Sequence, residues 1–74
     1  MSYHKVMSKF SKNLKELRIE KGLSQQELAQ IFNVTQSTVA KWESGDREPN
    51  FSILIELSNY FNISTDILLG IKDL

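Results

Sequence analysis

The sequence predicts an all-α protein, and three observations support this class. Apolar residues recur at helical spacing, residues typical of helix starts and ends separate the segments, and no segment sustains the alternation of a strand. The chain has 74 residues, enough for one domain with a small core. We therefore expect a compact five-helix bundle over residues 9–70, preceded by an N-terminal arm over residues 1–8 and followed by a tail over residues 71–74.

The first helix is predicted from Lys9 to Lys21. Its inner face consists of apolar residues one or two turns apart: Phe10, Leu14 and Leu17. Ser8 is a residue type that caps helix starts. Gly22 follows the last turn, where a residue in the left-handed conformation ends a helix at little cost.

The second helix begins at Ser24, because serine followed three residues later by Glu27 forms a capping box. Its inner face is predicted to be Leu28, Ala29 and Phe32. Asn33 ends it, since asparagine tolerates a positive φ better than most residues. The third helix begins at Thr35 and runs to about Ser44, with Val39 and Trp42 facing inward and Gly45 after its end.

The fourth helix is predicted from Phe51 to Phe61, capped by Asn50 or Ser52. Its inner stripe is expected to comprise Phe51, Leu54, Leu57, Ser58 and Phe61. The fifth helix is short. Ser64 caps it, Ile67 and Leu68 face inward, and Gly70 follows.

The composition excludes several classes of protein. There is no cysteine and a single histidine, His4, so disulfides, thiolate-held zinc and histidine-based catalysis lack the residues they need. No apolar run approaches the ~18 residues of a membrane span, and the N-terminus lacks the apolar core of a secretion signal. We expect a cytoplasmic protein that is not an enzyme and binds no metal, cofactor or small molecule.

The charge distribution is uneven. The formal net charge is zero, which counts against nucleic-acid binding because a basic surface is its usual mark. However, residues 1–49 carry eight basic and six acidic side chains, a net charge of +2, whereas residues 50–74 carry one basic and three acidic side chains, a net charge of −2. A weakly basic surface in the first two thirds is consistent with DNA binding.

The second and third predicted helices are joined by only Asn33, Val34 and Thr35. A turn this short makes the two helices cross steeply, as in a helix-turn-helix. The outward face of the third helix is polar and carries no acidic residue: Gln36, Ser37, Lys41 and Ser44. Glutamine can bond adenine N6 and N7 together, and lysine can donate to guanine O6 and N7.

Four stretches of sequence carry a family resemblance: Leu14-Lys-Glu-Leu-Arg18, Gly22-Leu-Ser-Gln-Gln-Glu-Leu-Ala29, Val34-Thr-Gln-Ser-Thr-Val39, and Trp42-Glu-Ser-Gly45 followed by Pro49. Together they resemble the Cro/C1-type helix-turn-helix family, also called the xenobiotic-response-element family, over about residues 9–70. The resemblance implies a lambda-repressor-like fold and double-stranded DNA as the partner.

Carried over by position, the resemblance implies three sets of residues. Gln36, Ser37 and Lys41 would contact bases, and Gln25, Thr35, Ser44 and Arg47 would contact phosphates. Arg18 and Glu43 would form a buried ion pair. The sequence departs from the family at Asn33, where glycine is commoner, and at Asp46 and Glu48, which flank Arg47 where basic residues often lie.

The expected function is therefore sequence-specific regulation of transcription, as a homodimeric repressor that places its third helix on a near-palindromic operator. The alternative is an antitoxin or another protein-interaction module, because a fold alone does not give a function. The chain is either a complete short regulator or the N-terminal part of a longer one. Candidate residues for a dimer contact are Ile55, Tyr60, Ile63, Leu69, Ile71 and Leu74.

Overall fold

The chain forms five helices and no strand in the computed structural model, which describes residues 2–73. The helices are α1 (Tyr3–Glu20), α2 (Gln25–Ile31), α3 (Gln36–Ser44), α4 (Phe51–Phe61) and α5 (Thr65–Leu68). The predicted all-α, five-helix class is confirmed. The short connections bring α2 against α3 and close the bundle by packing α5 on α1 and α4.

The first helix begins six residues earlier than predicted, so the expected arm over residues 1–8 is wrong. Ser2, not Ser8, caps α1, and its hydroxyl accepts a hydrogen bond from the Lys5 amide at 3.2 Å. Met7 explains the extension, because its side chain is buried in the core one turn before Phe10. Ser8 is an exposed residue within the helix, and Met1 lies outside the described residues.

The other predicted caps form as expected. Each cap side chain accepts from the backbone amide three residues later, in the pairs Ser24–Glu27, Thr35–Thr38, Asn50–Ile53 and Ser64–Ile67. Ser24 and Glu27 complete the predicted capping box, since the Glu27 carboxylate also accepts from the Ser24 amide at 2.9 Å. Four helices therefore have a start fixed by local side-chain chemistry.

The core lies at the centre of the bundle and receives residues from all five helices. It consists of Met7, Phe10, Leu14, Leu28, Ala29, Val39, Trp42, Leu57, Phe61 and Leu68. One prediction for it is wrong: Phe51 is 85% exposed. The packed part of α4 begins with half-buried Ile53 and Leu54, because the start of this helix extends beyond the edge of the core.

The short α5 is fastened to α1 by polar contacts. The Asn13 side-chain amide donates to the carbonyls of Ile67 at 3.1 Å and Leu68 at 3.2 Å, and the Lys9 ammonium donates to Gly70 at 3.4 Å. A Cβ at Gly70 would lie 2.6 Å from that of Lys9, so this contact requires glycine. Residues 71–73 are not helical, and Leu74, the last residue of the predicted tail, lies outside the described residues.

Candidate nucleic-acid interface

The turn between α2 and α3 follows from two local conformations. Asn33 has a φ of 56°, which ends α2 and lets the Val34 amide donate to the Ala29 carbonyl at 2.9 Å. Ala29 is 1% exposed, so the two helices approach closely over a small side chain. Thr35, two residues after Asn33, caps α3. The outer face of α3 is exposed to solvent.

That outer face is polar. Gln36, Ser37, Lys41 and Ser44, predicted from the sequence as contact residues, are all exposed. On the opposite side of α3, Val39 and Trp42 are buried. The acidic residue of α3, Glu43, lies between these faces, and its side chain is only 3% exposed. The face therefore presents amide, hydroxyl and ammonium groups without an exposed carboxylate of its own.

Arg18 and Glu43 lie in direct contact behind this face. Arg18 donates from Nε to Glu43 Oε2 at 2.6 Å and from Nη2 to Oε1 at 3.0 Å. Its Nη1 donates to the Leu23 carbonyl at 2.7 Å. The hydrogen bond to Glu43 raises the pKa of the Arg18 guanidinium above its ordinary value, and burial opposes this shift only in part. The pair ties α1 to α3 and to the segment before α2.

A relay of side chains runs from this ion pair to the surface. Gln25 Nε2 donates to Glu43 Oε1 at 3.1 Å, and Gln36 Nε2 donates to Gln25 Oε1 at 2.7 Å. An ionised carboxylate can only accept hydrogen bonds. Glu43 therefore fixes the direction of the Gln25 amide, and Gln25 in turn fixes that of Gln36. The Gln36 carbonyl oxygen and its second N–H point away from this bond.

Sequence reasoning placed Gln25 and Gln36 separately and missed the bond between them. The signal was present, because each glutamine is the first residue of its helix and follows the capping residue. A helix-turn-helix brings the starts of its two helices to the same surface. Glutamine side chains at those two positions can therefore reach each other and form a hydrogen bond.

The remaining predicted phosphate contacts have different surroundings. The Thr35 hydroxyl accepts from the Thr38 amide at 3.1 Å and contacts the Thr38 hydroxyl at 2.9 Å. The Ser44 hydroxyl donates to the Asp46 carboxylate at 2.9 Å. Arg47 is exposed in the connection between α3 and α4. A phosphate at Ser44 would have to displace a hydrogen bond to an acidic group.

The nearby Glu48 carboxylate, in the connection between α3 and α4, raises the pKa of the Tyr3 phenol above its ordinary value. The sequence did not indicate this proximity, because Tyr3 was predicted to lie in an arm before the first helix. It is instead the first residue of α1.

Among residues 2–73, no group of three or more histidine, cysteine or acidic side chains is placed to hold a metal ion. Within the same range, no helix is both long enough and apolar enough to cross a membrane.

Comparison with known proteins defines the class. The helix-turn-helix family profile matches residues 14–68, which include the capping box, the turn and the polar face of α3. The chain belongs to the Cro/C1-type helix-turn-helix family, as the sequence resemblance predicted.

Its relatives are named as regulators of transcription. The chain is 42% identical over 60 residues to the uncharacterized HTH-type transcriptional regulator YqaE of Bacillus subtilis (strain 168), covering 81% of this chain and 52% of YqaE. It is 41% identical over 59 residues to the HTH-type transcriptional regulator ImmR of the same organism, covering 80% of this chain and 46% of ImmR. It is 37% identical over 65 residues to the HTH-type transcriptional activator BcrR of Enterococcus faecalis, covering 88% of this chain and 32% of BcrR. The chain thus spans about half the length of YqaE and ImmR and a third of BcrR.

Proposed function

We propose that this domain binds double-stranded DNA in a sequence-specific way and regulates transcription in the cytoplasm, as a homodimeric repressor on a near-palindromic operator. The observation that carries the proposal is the exposed, acid-free polar face of α3, which a tight turn holds outside the bundle. An α-helix presented in this way fits the major groove of B-DNA. A dimer seated on a promoter represses by occupying it.

Gln36, Ser37 and Lys41 are the proposed base-contacting residues. Within the described part of the chain, the Gln36 side chain makes one hydrogen bond, to Gln25. One N–H and the carbonyl oxygen remain for a partner, which is the donor and acceptor pair that adenine N7 and N6 require. Lys41 is exposed further along α3, and its ammonium group can donate to guanine O6 and N7.

The proposed phosphate-contacting residues lie at the two ends of the polar face of α3. Gln25 and Thr35 lie at the starts of α2 and α3, where backbone N–H groups and the helix dipole favour anions. At the other end of α3, Ser44 is the last helical residue, and Arg47 lies in the connection that follows. Such contacts set the position of the domain on the duplex, whereas base contacts supply the specificity.

The proposed dimer surface lies on α4. Phe51 and Ile55 are 85% and 53% exposed, and residues four apart share a helix face. Among the residues predicted for this role, Ile71 is also exposed, whereas Tyr60, Ile63 and Leu69 pack partly against the core. The Tyr60 ring lies 5.6 Å from that of Phe32 and 4.4 Å from the Lys21 ammonium, so its contacts are largely internal.

Selection of bound sequences from a randomised duplex library tests the proposal. We expect the wild-type protein to select a motif with two related halves. Gln36→Ala and Lys41→Ala should each relax one base position in both halves, with a loss of discrimination of about 1–3 kcal/mol at that position.

Gln30→Ala is the matched control, because Gln30 is an exposed glutamine of α2 that takes part in none of the side-chain hydrogen bonds described above. It should select the wild-type motif. Selection of an unchanged motif by both α3 variants would remove Gln36 and Lys41 from base reading. Absence of wild-type binding to every duplex at low salt would overturn the proposed function itself.

A further inference from the structure

A groove runs between residues 4–15 of α1 and the end of α3. One wall consists of α1 residues three or four positions apart, which share a helix face: His4, Ser8, Lys12 and Lys15. Ser44 and Gly45 line the opposite wall. These four α1 residues are exposed, as are Ser44 and Gly45, so the groove opens to solvent beside the proposed phosphate contact at Ser44.

The groove presents positive charge to the solvent. Lys12 and Lys15 contribute two ammonium groups, whereas the acidic residue among its lining residues is Glu43. The Glu43 side chain is 3% exposed and is neutralised by Arg18. Asp46 lies at the rim, where it accepts a hydrogen bond from Ser44. The field inside the groove therefore favours an anion on the α1 side.

The wall formed by α1 is held in place by its contacts with α3. Met7 is buried in the core, and the Ser11 hydroxyl donates to the Trp42 carbonyl at 2.6 Å. Six α1 residues line the groove, and since the family profile matches from residue 14, all of them except Lys15 precede the matched region. They are a feature of this chain that the family match does not describe.

We propose that this groove binds backbone phosphates of the DNA next to the bases that α3 reads, so that α1 extends the interface beyond the helix-turn-helix. Lysine ammonium and serine hydroxyl groups are common phosphate ligands and carry no sequence information. The inference depends on the proposed DNA binding, and it adds Lys12 and Lys15 as positioning residues for the duplex.

The salt dependence of binding measures these contacts. Each phosphate neutralised by a lysine contributes about 0.9 to the slope of log K against log salt concentration. We expect Lys12→Gln and Lys15→Gln each to reduce the slope by about 1, and to weaken binding to operator and random duplexes by the same factor. Lys5→Gln is the control, because Lys5 is an exposed lysine of α1 that does not line the groove.

Phosphate ethylation interference locates the contacts. Ethylation of the phosphates bound in the groove should inhibit wild-type binding and should no longer inhibit binding of the Lys12→Gln/Lys15→Gln protein. Interference at the phosphates assigned to Gln25, Thr35 and Arg47 should persist in both proteins. Wild-type slopes and interference patterns in that double variant would overturn the groove proposal while leaving DNA binding intact. If the slope falls equally in Lys5→Gln, the effect is one of overall charge and the groove has no specific role. A wild-type protein that binds no duplex would instead refute the proposed function.

Discussion

At the scale of single residues, the Arg18–Glu43 pair connects stability with the proposed interface. Both Glu43 oxygens are engaged by the guanidinium, and one of them also receives the Gln25 amide. The same carboxylate thus holds α1 to α3 and orients the side chain that contacts Gln36. A change at this pair should alter both the free energy of unfolding and the arrangement of the exposed amides.

Arg18→Met should strongly destabilise the domain. The substitution leaves the Glu43 carboxylate buried without a counter-charge, and removal of one partner of a buried pair costs about 3–5 kcal/mol. Small domains are stable by only about 5–15 kcal/mol, so urea unfolding should show a large fall in the transition midpoint. The Arg18→Met/Glu43→Leu protein is the control, because it removes both charges. It should recover part of the loss. A loss below ~0.5 kcal/mol in Arg18→Met would show that the pair contributes little.

At the scale of helices and turns, the caps were the most predictable features. Ser24 with Glu27, and Asn33 after α2, act through residues at most four positions away, so their chemistry is readable from the sequence. The start of α1 was not readable, because Ser2 and Ser8 are equally good caps. The burial of Met7 decided between them, and it depends on helices distant in sequence. The exposure of Phe51 also depends on where the core ends.

The capping box of α2 predicts a pH dependence of stability. The backbone hydrogen bond at Ser24 lowers the pKa of Glu27 below its ordinary value of 4.5. A group with a lowered pKa in the folded state stabilises the fold above the unfolded value, and this contribution is lost as the pH falls through the folded pKa. We expect the thermal midpoint of the wild-type protein to fall below pH 4.5 in part for this reason.

Glu27→Gln isolates that contribution, since glutamine also accepts in a capping box but does not titrate. The difference in midpoint between wild type and Glu27→Gln should be larger at pH 7 than at pH 3. Glu56→Gln, at an exposed position of α4, serves as the control for the loss of one carboxylate. A difference that is the same at both pH values would contradict the assignment.

At the scale of the whole molecule, the bundle separates two surfaces. The polar face of α3 and the exposed apolar pair of α4, Phe51 and Ile55, lie on different helices, as the proposed DNA-binding and dimer surfaces require. The sequence indicated the first surface through the absence of acidic residues from the outward face of α3. The sequence indicated the exposed apolar pair of α4 only in part. Phe51 and Leu54 fall on the same predicted stripe of the helix, and only the packed structure shows which of the two is exposed.

Ile55→Glu should disrupt the proposed dimer. A carboxylate facing the same residue of a second copy introduces like-charge repulsion at an apolar contact, and we expect at least a tenfold loss in apparent operator affinity, with the circular dichroism spectrum unchanged. Analytical ultracentrifugation measures the oligomeric state. Ile19→Glu is the control, because Ile19 is a similarly exposed isoleucine on α1. A dimer that survives both Ile55→Glu and Phe51→Glu would place the interface elsewhere.

The attachment of α5 to α1 has a consequence for the order of assembly. A four-residue helix is far too short to persist alone, and its carbonyls reach the Asn13 amide across 54 positions of the chain. During synthesis, α1 leaves the ribosome before α5 does. The side-chain amide of Asn13 is therefore hydrated until nearly the whole domain has been synthesised. We therefore expect closure of the bundle to be a late step, and amide exchange in α5 should report whether α5 is packed on α1.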